Sequence, residues 1–599
     1  MENRPHVNFQ PRPKSGFHHD LLALYATLGL RRRAQLAATM ALMVVGAGAE
    51  LATIGAVLPM LALATNPDAL NRMPVVASLF ASIEARTGWN LIIVAAAILV
   101  VATVVSSVLR LYLVWATNKL IYGIGYDLTG LVISRLVYQP YEHHVRQNSS
   151  VALTALSKVE NIVVGILAPI INGVISLGIA IAIIALLVAI DPIPAIIAAS
   201  TVGALYIGVS LVARRLLNPI SIQMASMWTT RNKVVQEMLG ALRDVILDHS
   251  HAVFEKRLDG LERELTRAQI TGAFLASAPR FLVESVGVIL IAVIAAYYST
   301  RPGGVAAAIP ILGALALGAQ RLLPLLQSVY LGWAGHVMHA QALHDVLEVS
   351  NWPVSASRNG VSAQLNYQNH IELRDVSYQY SERASALLNI NLVISKGERV
   401  GLVGRTGSGK STLVDILMGL LRPTAGGFLI DGSALSDAEI SAWQSQIAHV
   451  PQVIFLSDDT IAANIAFGAE SGRVDLDRVR DAAERAGLRG FIETLPDGFD
   501  TTVGERGIRL SGGQRQRIGI ARALYREAKV LFLDEATSAL DSETETAIMN
   551  SVFSLADDLT VIIIAHRLTT LDRCNVIFRL DQGRIVAADR LPRLAPVKG

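Results

Sequence analysis

The sequence predicts a chain in two parts: an all-α transmembrane half with six spans, followed by an α/β phosphate-loop domain. Three observations predict it. Hydrophobic residues make up 52% of the chain, charged residues only 17%, and the mean hydropathy is +0.44, whereas soluble domains carry about a quarter charged residues. The apolar excess lies before residue 340, in runs that meet the ~20 residues a helix needs to cross hydrocarbon. Finally, Gly404-Arg405-Thr406-Gly407-Ser408-Gly409-Lys410-Ser411 follows the apolar strand Arg399–Val403 and precedes Thr412–Leu417, which can open a helix. That strand–loop–helix context makes the glycine-rich motif a phosphate cradle rather than an ordinary turn.

Six stretches qualify as spans: Leu36–Thr65, Leu91–Ala116, Ile162–Ile190, Ile193–Ala213, Phe281–Tyr298 and Val305–Trp333. Positive charge sets their orientation. Arg31-Arg32-Arg33 precede the first span, Arg214-Arg215 follow the fourth, and the polar stretch between spans four and five is rich in Arg and Lys. These sections belong on the cytosolic side, with both termini. The residues before 34 read as a polar tail plus a surface helix over Asp20–Leu30, residues 34–345 as the transmembrane domain, 346–369 as a linker and 370–599 as the nucleotide-binding domain. The single Cys574 allows no intrachain disulfide, and a net charge of +3 is too small to imply nucleic-acid binding.

Asn118–Asn161 and Leu216–Arg280 are far longer than turns require, and both carry helical periodicity. The adjacent His143 and His144 would point to different faces of a helix, which argues against a metal site.

In the phosphate loop, glycines let the backbone wrap phosphate oxygens while N–H groups and the helix N-terminus supply positive potential. Lys410 suits the β- and γ-phosphates of ATP, and the Ser411 hydroxyl suits Mg²⁺. Val530–Leu533 reads as a buried strand ending in Asp534-Glu535. Asp534 suits Mg²⁺, and Glu535 suits polarising the attacking water. Another apolar run, Val561–Ala565, ends in His566, either a γ-phosphate sensor or a structural histidine.

Leu510-Ser511-Gly512-Gly513-Gln514 makes the resemblance specific: it is similar to the signature of ABC ATPases, and the region from about His370 onward resembles an ABC nucleotide-binding domain throughout. The resemblance implies that Tyr380 stacks on adenine and that Gln452 is the glutamine-loop residue touching Mg²⁺ and water. It also implies that Ser538-Ala539-Leu540-Asp541 contacts a partner subunit, and that the nucleotide is held by Tyr380, Gly404 through Thr412, and Ser511, Gly512, Gly513 and Gln514 of the opposite subunit. Glu535, His566 and Gln452 are the implied catalytic group, with Ser411, Gln452 and Asp534 around Mg²⁺. One chain with one such domain then needs a partner, and a homodimer is implied because no site residue is degenerate. The whole chain resembles an ABC exporter half-transporter, with the type I exporter fold and ATP hydrolysis coupled to transport. That plan implies short transverse helices near Tyr138–His144 and Leu247–Phe254.

Ionisable residues inside the spans are the clue to cargo. Arg110 and Arg321 lie about 28 and 24 Å down inward-running helices at ~1.5 Å per residue, and Arg280 begins span five at a similar level. Guanidinium groups grip phosphate oxygens in a two-pronged geometry. Each arginine also has a structural alternative: snorkelling to the interface, or for Arg280 a helix-spaced pair with Glu284. Glu50 is equally deep and would pair with an arginine or bind substrate. Glu50–Pro59, Gln139-Pro140-Tyr141, Ala278-Pro279-Arg280 and Arg321-Leu322-Leu323-Pro324 resemble, as short motifs, the bacterial lipid-linked-oligosaccharide flippases of the PglK type. That resemblance implies transfer of an anionic lipid-linked glycan to the outer leaflet of a bacterial inner membrane, and an external helix over Met73–Ala85. The alternative is a general exporter of drugs, lipids or peptides.

Overall fold

A computed structural model of the chain describes residues 17–65, 91–146, 149–190, 192–299, 304–355, 365–381, 384–470, 472–536, 542–553, 558–565, 571 and 574–590. The expected external helix at 73–85 lies outside them. The chain divides into two compact units, Met1–Val137 with Gln147–Pro353, and Tyr138–Arg146 with Val354–Gly599.

The first unit is helical. Its elements are α1 (Phe17–Thr27), α2 (Leu30–Thr65), α3 (Leu91–Val137), then, beyond α4 (Tyr141–Arg146) of the second unit, α5 (Ser149–Ile162), α6 (Ala168–Ile190), α7 (Pro192–Gly240), α8 (Leu242–Leu247), α9 (His251–Ser299) and α10 (Gly304–Ser350). Five of the described helices have the length and composition to cross a membrane. The sixth predicted span lies in α10, a helix of 47 residues. Helices α3, α7 and α9 contain 47, 49 and 49 residues, or about 70 Å at ~1.5 Å per residue, more than twice the ~30 Å of hydrocarbon. They therefore run well past the bilayer, as the polar length between spans requires.

Leu120, Ile121, Ile124, Val159, Ile162, Ile166, Leu343 and Val346 form a buried core shared by α3, α5, the following turn and α10. Beside it, Lys158 Nζ lies 2.5 Å from Asp345 Oδ2, and Gln341 Nε2 donates to Asp345 Oδ1 at 2.9 Å. Between α5 and α6, Val163–Leu167 form a π-helical turn. The backbones of this turn and α10 touch there: a Cβ on Gly335 would collide with the Gly165 carbonyl oxygen, and one on Gly332 would lie 2.7 Å from the Pro169 oxygen.

Three local expectations shift. The N-terminal helix is Phe17–Thr27 rather than 20–30, because the chain breaks at Leu28-Gly29 before α2. The second transverse helix is α8 (Leu242–Leu247), and Asp248–Ser250 form a turn with His249 at φ 51°. The predicted segment thus began where this helix ends. Residues 346–350, assigned to the linker, complete α10, whose Val346 and Val349 are buried in the core.

The second unit carries two sheets. An antiparallel one, ordered β2-β1-β4-β5, joins β1 (His370–Ser381), β2 (Ala384–Ser395), β4 (Ala425–Ile430) and β5 (Ser433–Ala434). The other, ordered β10-β9-β3-β8-β7-β6, contains β3 (Arg399–Gly404), β6 (Ile447–Val450), β7 (Val530–Asp534), β8 (Thr560–Ile564), β9 (Val576–Asp581) and β10 (Arg584–Arg590). Its strands β9, β3, β8, β7 and β6 are parallel, and β10 runs antiparallel beside β9. Strands β7 and β8 are buried along their apolar runs, which is why they read as continuous hydrophobic segments rather than alternating ones. Helix α11 (Lys410–Leu417) follows β3 and packs Leu413, Ile416 and Leu417 into one core. Helix α12 (Gly512–Tyr525) packs Ile518 and Ile520 into another. Cys574 is buried in that second core, and burial pushes its thiol up to about 12.

Candidate functional site: a phosphate loop and a charged cluster in the spans

The end of β3 is where an open parallel sheet exposes its ligand-binding edge. The loop between β3 and α11 is shaped by its glycines. Gly407 (φ 80°) and Gly409 (φ 102°) adopt backbone that side chains disfavour, and a Cβ on Gly409 would sit 2.7 Å from the Ala386 oxygen. Arg405, Thr406 and Gly407 are exposed, while Ser408 and Lys410 are buried. The Lys410 ammonium donates to the Gly404 and Arg405 carbonyls at 2.7 and 3.1 Å. Among the described residues the buried Ser408 hydroxyl has no hydrogen-bond partner. An ammonium resting on two loop carbonyls can transfer to phosphate oxygens without losing its charge-assisted bonds, so the loop suits a polyphosphate.

Tyr380 packs edge-on against Tyr378 with ring centroids 4.9 Å apart, and its hydroxyl lies 3.2 Å from Thr412 Oγ1. The aromatic is thereby fixed beside the first turn of α11. Gln452 Nε2 donates to Glu535 Oε2 at 2.7 Å, which leaves the Gln452 carbonyl oxygen to accept or ligate. Glu535 holds φ at 47°. A left-handed non-glycine costs about 1–3 kcal/mol and concentrates at functional positions. Its N–H is anchored by the Ile564 oxygen at 3.1 Å.

Sequence reasoning missed Asp415, one turn into α11. Burial, reinforced by the charge of Asp534, pushes its carboxyl up to about 6. The repulsion between Asp415 and Asp534 is one that a bound cation would relieve, which is the chemistry expected of a Mg²⁺ ligand at Asp534. Tyr141 of α4, in the Gln139-Pro140-Tyr141 motif, lies in the same surroundings: burial raises its hydroxyl, with Asp415 and Tyr380 adding to the shift. Within the second unit α4 thus lies near Asp415 and Tyr380, and Ser355 N–H donates to the Tyr138 oxygen at 2.7 Å. No local pattern marks Asp415, which becomes notable through tertiary proximity. His566 and the stretch 538–541 lie outside the described residues.

Ser511 caps α12 in a reciprocal box. Its hydroxyl accepts from Gln514 N–H at 3.2 Å and Gln514 Oε1 accepts from Ser511 N–H at 2.8 Å. Gly512 and Gly513 open the helix behind it. These bonds close within the signature and do not reach Gly404–Ser411 of the same chain.

In the helical unit, Glu50 of α2 is buried, with its side chain 6% exposed. Arg110 of α3 pairs with Glu50 Oε1, and Arg321 Nη1 of α10 lies 3.5 Å from Oε2. The Ser106 hydroxyl donates to Oε1 at 3.4 Å. Three of the four predicted cargo residues therefore meet. Arg280 is exposed on α9, and among the described residues no ion pair joins it to this cluster. A separate cavity of about 610 Å³ in the same unit is lined by Leu187, Tyr206, Arg214, Leu322, Tyr330 and Trp333, among others.

Residues 387–538 match the family described as ABC transporter, and residues 72–302 match the ABC transporter transmembrane region. An ATP-dependent lipid A-core flippase of Saccharophagus degradans is 44% identical over 250 residues, 42% of each chain. One from Ralstonia nicotianae is 46% identical over 220 residues, 36% of this chain and 37% of its own. An ABC-type transporter MDR1 of Aureobasidium melanogenum is 40% identical over 254 residues, covering 42% of this chain and 18% of its own. The chain spans about two fifths of the length of the first two relatives. The solved structure of a bacterial Atm1-family ABC exporter with ATP bound superposes with a TM-score of 0.72 at 24% identity, covering 93% of this chain and 95% of that one. The chain belongs to the ABC transporters, with a helical transmembrane region that precedes an ABC ATPase domain in the exporter fold.

Proposed function

We propose that two copies of this chain hydrolyse ATP to move an anionic, lipid-linked glycan or related glycolipid from the cytosolic to the outer leaflet of a bacterial inner membrane. The observation that carries this reading is the convergence of Arg110 and Arg321, from different spans, on one buried carboxylate in a chain that also holds a phosphate loop. Ionisable groups at that depth are costly and mark cargo pathways. The relatives named as lipid A-core flippases support a lipid cargo.

In this mechanism the loop Gly404–Ser411, Thr412 and Tyr380 hold ATP, and Ser411, Gln452 and Asp534 hold Mg²⁺, which neutralises phosphate charge when bound. Glu535 orients and polarises the attacking water, Gln452 keeps the Glu535 carboxylate aimed, and His566 senses the γ-phosphate. Ser511, Gly512, Gly513 and Gln514 of the second copy close the site. The closure moves α4, which belongs to the ATPase unit, and so biases the spans between two arrangements.

The test is reconstitution in vesicles with labelled candidate lipids, following leaflet transfer with and without ATP. Transfer of phosphate-bearing lipids that requires ATP and Glu535 is expected; equal transfer without ATP removes the reading. A second reading, a general exporter of hydrophobic compounds, is favoured by the 610 Å³ cavity with Tyr206, Tyr330 and Trp333 on its wall. Neutral apolar dyes would then move as fast as anionic lipids.

A further inference from the structure

We propose that Glu50 is a resident counter-ion that the phosphate group of the cargo displaces, so that Arg110 and Arg321 pass from an internal carboxylate to an external oxyanion during each cycle. This inference rests on the reading of the cargo as an anionic lipid.

The cluster is unbalanced. Two guanidiniums face one carboxylate, which leaves a positive charge uncompensated among apolar helices. Among the described residues of the spans the other acid is Glu284 on α9, and it is exposed. An unmatched charge in such surroundings favours recruitment of an anion. The exposures say which groups would meet it: in one protomer the Glu50 side chain is 6% exposed, whereas those of Arg110 and Arg321 are 52% and 37% exposed. The carboxylate is enclosed while both arginine side chains stay partly exposed.

The two bonds also differ in quality. Oε1 is engaged by Arg110 and Ser106, but Oε2 makes no aligned hydrogen bond, and Arg321 stands 3.5 Å away. Arg321 is therefore placed to exchange Oε2 for another anion. A phosphate or diphosphate oxygen offers it the two-pronged geometry that Glu50 does not. Because α2, α3 and α10 each contribute one member, exchanging the anion changes what ties these three helices together.

The test measures ligand affinity in the full-length protein in phosphatidylcholine nanodiscs, with the nucleotide sites saturated with ADP. Farnesyl diphosphate, farnesol and inorganic pyrophosphate are titrated against wild type, Glu50→Gln and Arg321→Gln. Glu50→Gln is expected to lower the Kd for farnesyl diphosphate about tenfold, Arg321→Gln to raise it by a similar factor, and neither to change farnesol. A Glu50→Gln variant that binds farnesyl diphosphate no better than wild type overturns the exchange, even if vesicle transport of anionic lipids is intact. If pyrophosphate alone reproduces the full gain, the exchange stands and the lipid cargo falls. Should Glu50→Gln not fold, Glu50→Gln with Arg110→Gln keeps the wild-type charge of the cluster. That double variant must bind farnesyl diphosphate more tightly than Arg110→Gln alone, and equal affinities overturn the proposal.

Discussion

Gln452 Nε2 donates to Glu535 Oε2 at 2.7 Å, so the glutamine of one loop already holds the carboxylate at the tip of β7. Replacing Glu535 by Gln removes a base and keeps the shape. ATP binding is expected to persist while steady-state phosphate release falls about 10²–10⁴-fold, the usual weight of a general base. Wild-type turnover in that variant would overturn the assignment. Gln452→Ala removes this one hold on the carboxylate and should reduce turnover less severely.

Lys410→Ala should leave the apo protein folded, since the ammonium contributes only two bonds to loop carbonyls, a net of about 1 kcal/mol each. Affinity for ATP, read by equilibrium binding, should fall at least tenfold. Unchanged affinity would show that the Lys410 ammonium does not hold the phosphates.

Ser511 caps α12 and, in the proposed mechanism, also closes the nucleotide site of a second copy. Ser511→Ala removes the cap of α12 and should cost about 1 kcal/mol of ATPase-unit stability. Ser511→Asn keeps a good cap but lacks the hydroxyl. It should melt like wild type and still lose ATP turnover. If Asn restores turnover along with stability, the hydroxyl has no part in closing the site on a second copy.

Asp415 makes the ATPase unit sensitive to pH. Its folded pKa, about 6, lies above the unfolded value near 3.8 because of burial and then Asp534. The proton is therefore held more tightly in the folded state. The stability it contributes is complete below about pH 4 and is lost as pH rises through 6. Asp415→Asn should raise the Tm of the Mg²⁺-free protein by a few degrees at pH 7.5, at roughly the sensitivity of small domains, and by much less at pH 5. An equal change at both values would remove the titration of Asp415 as its cause.

Gly335→Ala tests the contact between α10 and the π-helical turn. The added methyl meets the Gly165 carbonyl, and backbone cannot yield as a side chain does. Overpacking of this kind costs about 1–3 kcal/mol. The loss should appear as a lower Tm, whereas Gly240→Ala, where nothing lies within 4 Å of the added atom, should not destabilise.

What the sequence disclosed follows from the range of the interaction that encodes each feature. Spans and phosphate loop are local patterns: apolar runs, and glycines at fixed offsets before Lys410. The pairing of Glu50 with Arg110 and Arg321 was half legible, because depth could be counted along each helix while rotation about its axis could not. Arg280 shares the depth and faces elsewhere. The π-helical turn at Val163–Leu167 answers to glycines on a helix over 160 residues away. Asp415 becomes notable only once the chain has brought it close to Asp534. The short helix expected near Leu247–Phe254 ends at Leu247 instead, because the turn at Asp248–Ser250, with His249 left-handed, separates it from α9.

Cys574 carries a practical dividend. A solitary thiol, enclosed in the core and reluctant to ionise, is silent toward maleimides and methanethiosulfonates. Single cysteines introduced along α3 or α10 can then accept spin labels or fluorophores in the native background, with no prior mutation needed to clear it.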